Sequence, residues 1–345
     1  MTAEAQLDRT TADNHFRLGL LFAVSSALAF GSSGPFAKAL MEAGWSPTAA
    51  VTARLAGGAL MMAAFAGIVR PGWIREVLGH ARTVVGYGLI PIAGAQLCYY
   101  NAVAHLSVGV ALLLEYTAPI LVVGWLWATT RHRPSAMTFG GVAVAIAGIV
   151  LVLDVFSGAQ INLAGVTWGL AAAVCAACYF MMSNKASTDG DGLSPISLAA
   201  GGLIIGTAAV TLLGVTGVMP LTFTTNPVTI AGHTTAWLVP VIALGLIPTA
   251  LAYTLGIVGI ARLKPRFASL VGLSEVLFAV LIAWIMLGEA MSVSQAIGGA
   301  VVLVGLAVAR QGDRSEQADP ETATQVALAT WPDMALQETS ERTID

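Results

Sequence analysis

Gly88-Leu89-Ile90-Pro91 recurs as Gly245-Leu246-Ile247-Pro248, and each copy is followed by a lone glutamate, Glu115 or Glu275, inside an otherwise uncharged apolar run. Further landmarks extend the repeat. Leu18-Gly19 and Ala164-Gly165 open apolar stretches, Pro47 and Pro195 precede the next ones, and Gly140-Gly141 corresponds to Gly298-Gly299. A long apolar unit present twice points to a membrane protein built from an internal duplication.

The composition agrees. Hydrophobic residues make up 57% of the 345 residues and charged ones 10%, with 37 glycines and a mean hydropathy of +0.80. A soluble domain carries about 25% charged residues, so this chain belongs in a bilayer. The net charge of −3 implies no nucleic-acid surface, and many of the acids fall in residues 311–345, which read as a disordered, solvated tail. Cys98, Cys175 and Cys178 lie in apolar runs and read as packing residues. Cys175-x-x-Cys178 has a metal or redox spacing, but no histidine or acid lies beside it, so no metal or cofactor is expected. The polar start of the chain lacks the basic head and short apolar core of a cleavable signal.

Apolar stretches of about 20 residues suffice to cross ~30 Å of hydrocarbon. Ten are expected: 18–40, 47–69, 84–104, 108–128 and 135–153, then 163–182, 195–217, 236–261, 267–287 and 293–309. Basic residues concentrate in alternate connections: Arg9 and Arg17; Arg70, Arg75 and Arg82; Arg131 and Arg133; Lys185; Arg262, Lys264 and Arg266; Arg310, Arg314 and Arg342. Short cytoplasmic loops are rich in Lys and Arg, so both termini are expected in the cytoplasm. Five spans per copy is an odd number, which inverts the second copy relative to the first. The expected fold is an all-α membrane protein with ten transmembrane helices arranged as two inverted five-helix repeats. Residues 1–16 form a cytoplasmic N-terminal segment, 17–155 the first repeat, 162–310 the second and 311–345 a cytoplasmic tail.

Charges at membrane depth mark the candidate site, because each costs at least ~2.5–3.5 kcal/mol to insert. Helical rise puts Glu115 about 12 Å and Arg54 about 10 Å below the same surface. They can pair across helices, or hold the ammonium and carboxylate ends of a zwitterion. Glu275, about 13 Å in from the opposite side, is placed as the inverted mate of Glu115. The plainer alternative is a buried ion pair, or a protonated glutamate, that only fixes helix register. Carboxyls at such depth suit coupling to protons. Gln96, Tyr99, Tyr100 and Asn101 cluster nearby, and Tyr253 matches Gln96 when the two signatures are aligned; these residues line a path or simply pack. Lys38 snorkels outward, or turns inward if Gly31, Gly34 and Pro35 loosen its helix. Trp45, Trp73 and Trp237 read as interfacial anchors, and His105 as a loop residue.

At these residues the chain resembles the EamA-type members of the drug/metabolite transporter superfamily over nearly all of residues 17–310. The segment 34–40 with its lysine, Thr52-Ala53-Arg54-Leu55-Ala56, and the run 108–119 around Glu115 look most like the threonine and homoserine exporter branch. Ser274-Glu275, Phe278-Ala279 and Leu287-Gly288-Glu289 fit the same family's ninth span. Two departures stand out. The first half lacks a counterpart of Gly288-Glu289, so Glu289 is not expected to be half of a symmetric pair; the second half has Gly201-Gly202 near the place of Arg54, so a carboxylate clamp would be one-sided. The resemblance implies efflux of amino acids or related small metabolites across the plasma (inner) membrane.

The residues themselves favour a secondary transporter, in which two facing repeats rock around a midplane site that takes a small-molecule substrate. No phosphate-cradling Gly-x-x-x-x-Gly-Lys-Ser/Thr loop is present for ATP drive. An intramembrane enzyme using Glu115 or Glu275 as acid or base is the rival, but no Ser/His pairing or His/Asp metal constellation occurs in the spans. A structural subunit of the lipid bilayer would gain little from Arg54, Glu115 and Glu275. The oligomeric state is not legible.

Overall fold

The computed structural model describes residues 3–131, 133–153, 162–188, 193–252, 254–256 and 265–317. Tyr253, Arg262 and Lys264, the connection at 154–161 and the expected tail beyond residue 317 lie outside the described residues. Helices α1 (Ala3–Gly31) and α2 (Ser33–Glu42) come first, followed by α3 (Pro47–Val69), α4 (Trp73–Gly79), α5 (Ala81–Tyr87) and α6 (Ala95–Val103). Then come α7 (Val108–Glu115), α8 (Ala118–Thr130), α9 (Ala136–Val152), α10 (Leu163–Thr188) and α11 (Pro195–Val215). An antiparallel hairpin, β1 (Val228–Ile230) and β2 (His233–Thr235), precedes α12 (Leu238–Gly245), α13 (Pro265–Leu287) and α14 (Val293–Gln317). Among the described residues five helical stretches are long and apolar enough to cross a bilayer: Arg17–Glu42, Pro47–Val69, Val108–Thr129, Pro195–Val215 and Leu238–Gly256. Shorter apolar helices cover Ala136–Val152, Leu163–Tyr179, Val271–Leu287 and Val293–Ala309. Leu60, Ile68, Leu212 and Trp284 stand exposed on their outer faces, as side chains bordering lipid would. α14 runs to Gln317, past the expected end of the second repeat.

Proline decides where these helices stop being regular. It lacks an N–H and its ring clashes with the carbonyl four residues back. Pro91 lies inside a π-helical segment, Gly88–Gly94, that joins α5 to α6, and Pro248 inside a second, Leu246–Leu251, after α12. The duplicated sequence signature is thus a duplicated π segment, and in the second copy the freed Leu244 carbonyl accepts the Thr249 hydroxyl at 3.3 Å. Pro35 frees the Gly31 carbonyl where α1 gives way to α2. Pro119 frees that of Glu115 where α7 gives way to α8, so the single fourth span expected from the sequence is a broken helix. At that break the Thr117 hydroxyl turns back to the Leu114 carbonyl at 2.6 Å.

Packing exchanges partners between the two halves. α1 lies on α13 while α10 lies on α7 and α8; Gly88 meets α11 and Gly245 meets Gly57 of α3. α9 and α14 run antiparallel along a glycine seam so close that a Cβ at Gly148 would sit 2.6 Å from the Val302 nitrogen, and one at Gly298 2.6 Å from the Val152 nitrogen. In lipid such close backbone approach supplies the packing that hydrophobic exclusion cannot. α3 and α11 are also antiparallel. Each opens with Ser-Pro, the serine accepting the N–H three residues on, at 3.2 Å for Ser46 and 3.1 Å for Ser194.

These two caps identify the molecule's two ends. Ser46 lies beside the segment after α11, accepting the Thr222 N–H at 3.0 Å. There Trp45 is buried, donating to the Thr224 carbonyl at 2.8 Å and packing on Phe223 and Trp237 with ring centroids 5.1 and 5.9 Å away. Trp45 therefore anchors a loop cluster and not, as expected, a lipid interface. At the opposite end the Glu76 carboxylate of α4 accepts from Ser194 N (3.2 Å), Ser197 Oγ (2.6 Å) and Arg70 Nε (2.9 Å). Led by the Ser197 bond, then those from Arg70 and Ser194, this environment holds the Glu76 carboxyl down at about 2.

Candidate functional site

Arg54 sits on the buried face of α3, only 6% exposed. Its Nη1 donates to the Ser33 hydroxyl, to Gln96 Oε1 at 2.5 Å and to the Tyr100 hydroxyl at 3.3 Å, and its guanidinium carbon lies 5.9 Å from the centre of the Tyr100 ring. Ser33 is the first residue of α2, just past the Pro35-induced break, and its hydroxyl also bonds Tyr100 at 3.0 Å. Gln96 and Tyr100 are four apart on α6 and so share one face. Bonds to a charged group contribute about 1.5–3 kcal/mol each, enough to offset the insertion cost of the arginine. The partners named here are all neutral, and the guanidinium keeps its positive charge.

Glu275, on α13, accepts the Tyr116 hydroxyl at 2.7 Å, and that hydroxyl is also 3.0 Å from the Gly272 carbonyl. Tyr116 lies in the break between α7 and α8, so a first-half residue holds the second-half carboxylate. Glu115 ends α7 immediately before the break. Its carboxylate lies within electrostatic reach of Glu275 and Arg54, yet among the described residues it makes no hydrogen bond or ion pair. The direct Arg54–Glu115 pair expected as one alternative is therefore not formed. Tyr99, buried nearby, feels the charges of Glu115, Glu275 and Arg54 together. Gly34 makes room for its ring, since a Cβ there would collide with the Tyr99 hydroxyl.

The structure thus brings together Arg54, Glu115, Glu275, Gln96 and Tyr100. Asn101 turns aside: its amide donates to the Leu97 carbonyl of its own helix at 2.7 Å, and His105 bonds back to the Asn101 carbonyl at 2.8 Å. Lys38 also stands apart. The helix loosens as Gly31 and Pro35 suggested, but the ammonium pairs with Glu289 and donates to the Leu106 carbonyl at 2.9 Å, at the Ser46 end of the molecule. Lys38 and Glu289 form an ion pair between the halves, a partnership the sequence reading did not identify. Ser33 and Tyr116 were likewise not singled out. Proximity to Pro35 and Pro119 was the available signal for them. Among the described residues no cluster of three or more His, Cys, Asp or Glu could hold a metal.

The EamA-like transporter family matches this chain twice, over residues 17–154 and 163–310. A threonine/homoserine exporter RhtA of Salmonella typhimurium (strain SL1344) is 29% identical over 282 residues, covering 80% of this chain and 84% of that protein. The threonine/homoserine exporter RhtA of Escherichia coli (strain K12) is 27% identical over 260 residues, covering 73% and 78%. An uncharacterized transporter of Archaeoglobus fulgidus is 27% identical over 244 residues, covering 70% and 81%.

Proposed function

The chain belongs to the EamA-like transporter family and is a multi-pass membrane transporter rather than an enzyme; from that premise we propose that it exports amino acids such as threonine and homoserine, or related small metabolites, across the plasma (inner) membrane. It does so as ten transmembrane helices in two inverted five-helix repeats, residues 17–155 and 162–310, with both termini cytoplasmic. The exchanged packing of α1 on α13 and α10 on α7, and the antiparallel runs of α3 with α11 and α9 with α14, support that arrangement. Alternating access follows from rocking one repeat against the other.

One observation carries the substrate reading: Glu115, a carboxylate with no hydrogen bond among the described residues, lies within electrostatic reach of the buried guanidinium of Arg54. Separated opposite charges in one cluster match the two ends of an α-amino acid. Arg54, held in place by Ser33, Gln96 and Tyr100, takes the carboxylate. Glu115 takes the ammonium through charge-assisted bonds. Glu275, held by Tyr116, is the carboxyl that exchanges protons with the two aqueous sides, linking efflux to the proton gradient. Tyr253, outside the described residues, remains part of the proposed path by its alignment with Gln96.

The test is a growth challenge with toxic threonine and homoserine analogues in cells expressing the protein, repeated with Arg54→Ala and Glu115→Gln. Resistance lost in both variants at normal expression supports the assignment, and unchanged resistance removes both residues from the mechanism. Efflux that persists after an uncoupler collapses the gradient rejects the proton link. Resistance to chemically unrelated compounds, with none to amino acids, makes this the exporter of another metabolite or drug.

A further inference from the structure

Two glutamates away from the central cluster each cap a helix of the opposite half, and they do so at opposite ends of the molecule. Glu289, just past α13, accepts at 3.0 Å the Val108 N–H that opens α7, while pairing with Lys38. Glu42, one turn beyond Lys38, is the other carboxylate in electrostatic reach of that ammonium. Glu76, between α3 and α5, accepts the Ser194 N–H at 3.2 Å and the Ser197 hydroxyl at 2.6 Å at the start of α11, while pairing with Arg70 at 2.9 Å. The arrangement is reciprocal. The second half lends a carboxylate to a first-half helix at the Lys38 end, and the first half lends one to a second-half helix at the other. The first amides of a helix have no partner within it and sit at the positive end of its dipole, so a carboxylate there is a firm tie that can still open and reclose. Rocking one half against the other cannot widen either end without breaking the tie that spans it.

We propose that Glu289 and Glu76 are the two gate residues of the transport cycle. The Glu289 tie closes the Lys38 end, the Glu76 tie closes the opposite end, and the two break in alternation. The assignment rests on the transporter reading for the motion it controls, but its test needs no substrate. Replacing Cys175 and Cys178 by alanine leaves Cys98, which senses the Glu115 charge, as the single thiol. In sealed vesicles of known orientation its labelling rate by a membrane-impermeant methanethiosulfonate is measured from each side. Glu289→Ala should raise the rate from the Lys38 side and lower it from the other, and Glu76→Ala should do the reverse, each by about fivefold, the size expected for losing one helix cap. Shifts in the same direction, or no shift, overturn the proposal. Should either glutamate variant fail to fold, Lys38→Gln and Ser197→Ala each remove one partner of a tie and decide the matter by the same opposed but smaller shifts. Opposed shifts without amino-acid flux would keep the gates and discard the substrate; normal flux with unshifted labelling would do the opposite.

Discussion

Glu115 and Glu275 follow the same signature in the two halves, yet one carboxylate is bonded and the other is not. Tyr116 holds Glu275 at 2.7 Å, whereas Glu115, the residue just before that tyrosine, has no hydrogen bond among the described residues. Arg54 adds to the asymmetry. Its place in the second half is occupied by Gly201 and Gly202, where an added Cβ would lie 2.7 Å from Val84 Cγ1 and 2.8 Å from Ile92 Cδ1, so first-half side chains have filled the room an arginine would need. The same signature precedes both carboxylates, and their surroundings differ. A carboxylate left unbonded is available to a ligand, and one held by a hydroxyl is placed to change its protonation without moving.

Removing the cation tests that division most severely. Arg54→Ala is expected to lower efflux about a hundredfold, since truncating one partner of a buried charge interaction costs about 2–5 kcal/mol. Arg54→Lys should recover little of this, because a compact, strongly hydrated ammonium on a shorter side chain does not replace the delocalised guanidinium whose Nη1 bonds Ser33, Gln96 and Tyr100. Radiolabelled amino-acid flux in proteoliposomes measures both. Next in size, Glu115→Gln should reduce flux about thirtyfold, chiefly through a raised KM if it binds the ammonium. Glu275→Gln should keep KM and instead flatten the dependence of flux on an imposed pH gradient. If the two glutamine variants behave alike, the distinction between the carboxylates collapses.

A smaller effect is expected from Tyr116→Phe, about threefold on flux, with no further loss when it is combined with Glu275→Ala, because the two substitutions remove the same bond. Additive losses would mean that Tyr116 acts on something else. The smallest effect lies outside the membrane. Glu76 has its carboxyl depressed from an ordinary 4.5 to about 2, so the folded state holds that proton less tightly than the unfolded chain does. Its contribution is therefore complete above pH 4.5 and disappears as pH falls toward 2. Thermal unfolding midpoints in detergent should drop less for Glu76→Gln than for the native protein across that window. Equal slopes would leave Glu76 without a stabilising role.

Much of this was legible from residue order. The duplicated Gly-Leu-Ile-Pro reported a real structural repeat, because proline inside an apolar helix leaves few backbone solutions and both copies adopt the π segment. Arg54 and Glu115 could be placed at matching depth because helical rise is constant. Their separation could not be read, since it depends on how α3 and α7 pack and on the uncharged residues that accept the guanidinium's hydrogens. Lys38 shows the same limit. The loosened helix was foreseeable from Gly31 and Pro35, but Glu289 lies more than two hundred residues away and only folding brings it near. Asn101 was grouped with Tyr100 by adjacency, yet neighbours in a helix point about 100° apart, and its amide serves its own backbone.

By itself the sequence determined the solvent this chain lives in and its duplication, because hydropathy and repetition are local quantities. The tertiary structure alone decided which of its rare charges meet, which stay unbonded and which tie the halves together at each end. Those outcomes depend on distances between helices, and a distance between helices is set by the packing of all of them at once.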